Sequence, residues 1–236
     1  MLNTKKTYLV ATTLFVVAQI ILSVFIQKTG DVTYGVLTVS SVALCFLFVL
    51  IGHDKSFVSK VTVFAFAFTL VADFFLSKLV DFEGTQLIAM CVFCLVQGCY
   101  FIRVFHYQSR LQRLTHLIVK VLATIVSLVL TIVVLGDKTN ALALIAVFYF
   151  SQLIVNIVYA FIQIKLSILL PIGLLLFMLC DIFVGLFVLG TIMPIPDGSI
   201  IHQINNIGVN LAWVFYVPSQ TLLALSVKGK LILSRK

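Results

Sequence analysis

Charged residues are scarce in this chain, at 10% of its 236 positions, against about a quarter in a soluble domain. Hydrophobic residues make up 62%, which excludes an ordinary soluble globule. Proline is also rare, at 4 residues, so no proline-rich linker divides the chain. The 5 cysteines, Cys45, Cys91, Cys94, Cys99 and Cys180, all fall in apolar runs, where a thiol behaves as a small apolar side chain. Neither a disulfide nor a metal site is expected of them. Cys91 and Cys94 have the spacing of half a zinc site, but the second ligand pair is missing.

What remains is apolar sequence interrupted by turns. At about 20 residues per span, the length accommodates eight transmembrane helices in one all-α integral membrane domain, residues 1–236. The runs are 8–26, 34–51, 57–78, 84–105, 115–135, 141–163, 167–190 and 205–227. Breaks fall at Gly52-His53-Asp54, at Gly136-Asp137 and in the turn from Pro194 to Gly198, all poor helix continuers. The first run follows Lys5 and Lys6, lacks a small-residue cleavage site, and is read as a retained helix rather than a signal peptide.

The net charge of +8 would suggest nucleic acid in a soluble protein. Here its distribution points to membrane orientation. Only Lys28, Lys78 and Lys138 fall on one side of the alternating loops, and the other basic residues fall on the opposite side, which predicts cytoplasmic termini. No nucleic-acid partner is expected.

Two carboxylates, Asp73 and Asp181, lie inside apolar spans, and the other acids lie outside the spans. An ionisable group in the hydrocarbon layer costs about 2.5–3.5 kcal/mol on insertion scales, so such groups mark internal sites of chemistry or transport. At about 1.5 Å per residue, Asp73 lies roughly 8 Å from the helix end near Lys78 and Asp181 roughly 14 Å from Gly190. Both are expected in the non-cytoplasmic half. Their offset of 108 positions also relates Thr7 to Thr115 and Tyr34 to Leu142, at the openings of the first and fifth runs and of the second and sixth. That suggests a parallel 4+4 repeat.

Polar side chains recur at helical spacing. The sixth run carries Tyr149, Gln152, Asn156, Tyr159 and Gln163 on one stripe. The eighth has Asn206, Asn210, Trp213 and Gln220, with Tyr216 on the flank and Pro218 beside them, and the fourth has Gln97 and Tyr100 one turn apart. Together they are expected to line a polar cavity ending at the aspartates. His53, His106, His116 and His202 fall in loops or at interfaces, where solvated or headgroup-facing roles are expected.

Three segments resemble the YhhN family of eight-helix membrane proteins, which includes the eukaryotic lysoplasmalogenases. They are Phe68-Thr69-Leu70-Val71-Ala72-Asp73-Phe74-Phe75-Leu76, Gly173-Leu174-Leu175-Leu176-Phe177-Met178-Leu179-Cys180-Asp181, and Trp213-Val214-Phe215-Tyr216-Val217-Pro218-Ser219-Gln220. The chain departs from the family in having Ala72 for Gly, Cys180 for Ser, and Gln97 where a His is common. The resemblance implies hydrolysis of the vinyl ether bond of a lysoplasmalogen, an ether lysophospholipid, to a fatty aldehyde and a glycerophospho-alcohol. It needs no metal or organic cofactor.

Asp73 and Asp181 would then be the catalytic pair, one giving a proton to the alkene carbon while the other stabilises the cation and orients water. Gln97, Tyr100, Asn156, Tyr159, Asn210, Tyr216 and Gln220 would bind substrate. The expected setting is the cell membrane, with membrane lipids as surroundings. The main alternative is a secondary transporter that uses the aspartates for proton coupling, which broken helices would favour. A lipid-binding scaffold is the third reading. Headgroup, chain length and oligomeric state are not legible.

Overall fold

The computed structural model describes residues 2–28, 31–77, 79–80, 82–192, 196–205 and 210–228. Among these every regular element is helical. The order is α1 (Leu2–Lys28), α2 (Asp31–Gly52), α3 (Phe57–Leu76), α4 (Thr85–Phe105), α5 (Arg110–Leu135), α6 (Ala141–Ile162), α7 (Leu169–Ile192), α8 (Ile200–Asn205) and α9 (Leu211–Leu225), with 3₁₀ turns at Gly136–Lys138 and Ser226–Lys228. Asn206, Lys78, Pro194 and Ile195 lie outside the described residues, as does the chain after 228.

Seven helices, α1 to α7, are long and apolar enough to cross a bilayer. The eighth expected span differs. In place of one run over 205–227 there are the 6-residue α8 and the 15-residue α9, and α9, at about 22 Å, is shorter than the roughly 30 Å hydrocarbon core. Asn210 is the reason on the described side: as N-cap of α9 it leaves helical geometry, and its backbone is held by Gln27 of α1. Gln27 Nε2 donates to Asn210 O at 3.0 Å, and Asn210 N donates to Gln27 Oε1 at 3.1 Å.

Other helix starts follow from local chemistry. α5 begins earlier than its apolar run because Ser109 and Gln112 form a capping box, each side chain accepting from the other's backbone N–H at 3.4 and 3.0 Å. Ser56 Oγ caps α3 through Ser59 N at 3.2 Å, and Asn140 Oδ1 caps α6 through Ala143 N at 2.8 Å.

The helices associate in a pairwise pattern. α3 lies chiefly against α4, and α7 against α9. α4 joins α6 and α9 joins α2, while α2 leans on α3 and α6 on α7. α1 lies against α2 and α9, and α5 covers α6 with its other flank exposed. In lipid such contacts gain little from the hydrophobic effect, so close approach and hydrogen bonds must hold them. The α7–α9 contact illustrates this. A Cβ on Gly173 would sit 2.8 Å from Leu223 Cγ and 3.2 Å from Leu223 N, and Ser219 Oγ donates to Gly173 O at 2.9 Å. At the far end of α3, a Cβ on Gly35 would meet Ser77 O at 2.7 Å.

Candidate active site

Asp73 sits on α3 about 5 Å before its end, and Asp181 on α7 about 17 Å before its end. The two helix ends are thus less alike than expected. Even so, the carboxylates lie within electrostatic reach of each other, with Cys180 in reach of both. Asp73 is 2% exposed, whereas Asp181 is only partly covered. Both helices run unbroken through them.

Each carboxylate accepts a phenol hydrogen bond from a different helix. Tyr216 of α9 donates to Asp73 Oδ2, and Tyr149 of α6 donates to Asp181 Oδ2 at 2.6 Å. Phe93 and Phe177 fill the space between the phenols. Phe177 meets Tyr216 edge-on at 5.7 Å and Phe93 at 5.9 Å, and Phe93 meets Tyr149 at 5.9 Å. This packing fixes the rings that aim the hydroxyls.

A polar chain extends the Asp181 side. Gln97 of α4 faces the Tyr149 hydroxyl within electrostatic reach, yet its buried Nε2 has no aligned hydrogen-bond partner. Asn156 Nδ2 donates to Gln97 O and Oε1, both at 3.0 Å. Lys120 of α5 donates to Asn156 Oδ1 at 3.5 Å, with its ammonium 3.9 Å from the centre of the Phe101 ring. On the Asp73 side, Cys45 is in electrostatic reach and accepts from Gln19 Nε2 at 3.1 Å, while Ser41 Oγ donates to Gln19 Oε1 at 2.6 Å.

Gln220 lies one turn from Tyr216, fully buried, with neither side-chain polar atom bonded. The Tyr100 hydroxyl is buried and unbonded as well. Leaving a buried polar group unpaired costs about 1–3 kcal/mol, and Gln97, Tyr100 and Gln220 each carry such a group.

Two expected site residues lie elsewhere. Tyr159 stacks on His116 of α5, centroids 3.8 Å apart. Asn210 belongs to the α1–α2–α9 junction, where its Nδ2 donates to Tyr34 at 3.1 Å. The stripe on α6 therefore serves two neighbours. Tyr149 and Asn156 face the site, Gln152 Nε2 donates to Thr124 Oγ1 of α5 at 2.7 Å, and Gln163 Nε2 donates to Val104 O of α4 at 3.0 Å. His116 itself, expected at an interface, is 0% exposed and pairs with Gln108. Sequence reasoning placed Tyr149 on the stripe without giving it a role at the site, and it missed Lys120 and Gln19. For Tyr149 the signal was its position within the same stripe as Asn156.

The site and fold define a polytopic, all-helical membrane protein with a paired-carboxylate centre inside its bundle. The YhhN family model matches residues 34–227, most of the chain, and the chain belongs to that family. No curated protein and no solved structure matches it.

Proposed function

We propose that this protein is a membrane-embedded hydrolase that cleaves the vinyl ether bond of a lysoplasmalogen. The observation that carries the reading is the pair of carboxylates on α3 and α7, each held by a phenol from another helix. In the proposed reaction one carboxyl group transfers its proton to the alkene carbon distal to the ether oxygen. The resulting oxocarbenium ion is stabilised by the other, ionised carboxylate. Water adds at the carbon bearing oxygen and gives up a proton to a carboxylate, forming a hemiacetal. Collapse of the hemiacetal breaks the carbon–oxygen bond and releases fatty aldehyde and glycerophospho-alcohol. The phenols orient the carboxyl oxygens, while Gln97, Tyr100 and Gln220 offer unpaired polar atoms to water and glycerol oxygens.

The proposal extends to topology. Eight crossings, with α9 as the shortest, would place both termini in the cytoplasm, as the basic asymmetry suggests. The similar pairing of helices in the two halves supports a 4+4 repeat, and the cell membrane is the proposed location. Against a proton-coupled transporter stands the continuity of α3 and α7, since transporter sites typically use broken helices.

The test is aldehyde release from a lysoplasmalogen by purified protein in detergent. Asp73→Asn and Asp181→Asn should each lower turnover by about 10²–10⁴-fold while the protein stays folded. Proton-coupled uptake into vesicles, without hydrolysis, would favour the transporter instead.

A further inference from the structure

At the end of the bundle remote from the carboxylates lies a cavity of about 430 Å³. Arg103 of α4 lines it and is 4% exposed. Its guanidinium donates to Thr62 Oγ1 at 3.3 Å and to Ser226 O at 2.8 Å, which uses two of its five N–H groups. Among the described residues no carboxylate forms an ion pair with it. A buried cation without a counter-ion is costly, and the cavity in front of it leaves room for one.

Ser56 and Val58 belong to the start of α3 and Ser167 and Leu170 to the start of α7, while Arg103 and Tyr107, Ala160 and Gln163, and Ser226 and Val227 belong to the C-terminal ends of α4, α6 and α9. The helix polarities therefore oppose one another, and the charge of the cavity wall is set by its side chains. Ser167 Oγ is buried and has no partner. Asp54 also lines the cavity. The Ser56 hydroxyl holds its carboxyl below the usual carboxylate range, so it is ionised at neutral pH and would repel a simple dianion.

We propose that this cavity binds a zwitterionic phosphodiester, with phosphate on Arg103 and the cationic end toward Asp54. A lipid headgroup and a water-soluble glycerophosphodiester share that chemistry. The site is distinct from the reacting centre. Tyr216, which holds Asp73, and Ser226, which holds Arg103, are about 15 Å apart along the α9 axis. A phosphate and the vinyl carbons of one lysolipid are separated by about seven bonds, on the order of 9 Å extended. A molecule seated at Arg103 therefore does not present its own vinyl ether to the carboxylates.

The test is calorimetric titration of the full-length protein in detergent with sn-glycero-3-phosphoethanolamine, and in parallel with an ester-linked lysophosphatidylethanolamine. Saturable binding of either should weaken at least about tenfold in Arg103→Gln and in Ser167→Phe, which fills the cavity from its rim. It should persist in Asp73→Asn. Binding of both probes supports a site open to water, and binding of the lysolipid alone supports one filled from the bilayer. Inorganic phosphate should bind more weakly than the zwitterion, and equal affinity would overturn the part given to Asp54. Absence of saturable binding, or binding indifferent to both substitutions, would overturn the site. If Arg103→Gln fails to fold, Ser167→Phe decides alone. Aldehyde release by the same preparations reports separately on the proposed reaction.

Discussion

Two phenols at the carboxylates carry a consequence that burial alone would not. A hydrogen bond to a charged group contributes about 1.5–3 kcal/mol. Both phenol bonds are already made in the resting protein, but losing the orientation they give the carboxyl oxygens would slow the reaction by roughly 10- to 100-fold if that energy is lost from the transition state. Tyr149→Phe and Tyr216→Phe should therefore each slow aldehyde release by that order, with a smaller change in KM. Steady-state kinetics on the purified variants checks this. Asp54 lies outside the spans and offers a second test. Its pKa is held down by Ser56, so the stability it adds is fully present above about pH 4. That stability is lost as pH falls through the depressed value, and Asp54→Asn should flatten the acid limb of a thermal-melt titration. At this scale Asp73, Asp181, Gln97, Tyr216 and Gln220 were legible because polar groups in apolar runs are conspicuous. Tyr159 misled, because the α6 stripe faces α5 as well as α4, and periodicity reports a face without naming its neighbour.

Among the elements, α7 and α9 hold the site together through a contact that permits no side chain on Gly173. Gly173→Ala should destabilise the protein by about 1–3 kcal/mol through overpacking. Leu223→Ala is itself costly, since Leu223 is fully buried, but the two losses should be less than additive in the double variant, because the nearest clashing atoms belong to the Leu223 side chain. Denaturation of the single and double variants in detergent measures both. The first seven helices were readable from hydropathy within a few residues. The eighth was not. Its sequence is apolar enough, but the start of α9 depends on Asn210 bonding to Gln27, far away in the chain. The early start of α5 could have been read locally from Ser109 and Gln112, since a capping box is a short-range signal.

As a whole, the molecule has a basic set of loops and a carboxylate pair inside its bundle, Asp73 on α3 buried and Asp181 on α7 partly covered. Site-directed cysteine labelling in sealed vesicles, in a background without the native cysteines, should find positions near Lys55 and Lys165 reactive from the same side. Positions near Lys28 and Lys138 should be reactive from the other. The fold class was legible from composition, whereas the joining of α3 to α9 and of α6 to α7 by phenol–carboxylate bonds required the packed bundle. In the proposed reaction the two carboxylates act as one acid–base pair on a vinyl ether. The most direct test of that pairing is ¹⁸O-water incorporation into the fatty aldehyde during turnover of a lysoplasmalogen, quenched before aldehyde exchange with solvent and compared among wild type, Asp73→Asn and Asp181→Asn. Label is expected in the wild-type aldehyde and none in the glycerophospho-alcohol, with near-complete loss of product in both variants. Undiminished labelled aldehyde from either variant would contradict the pairing.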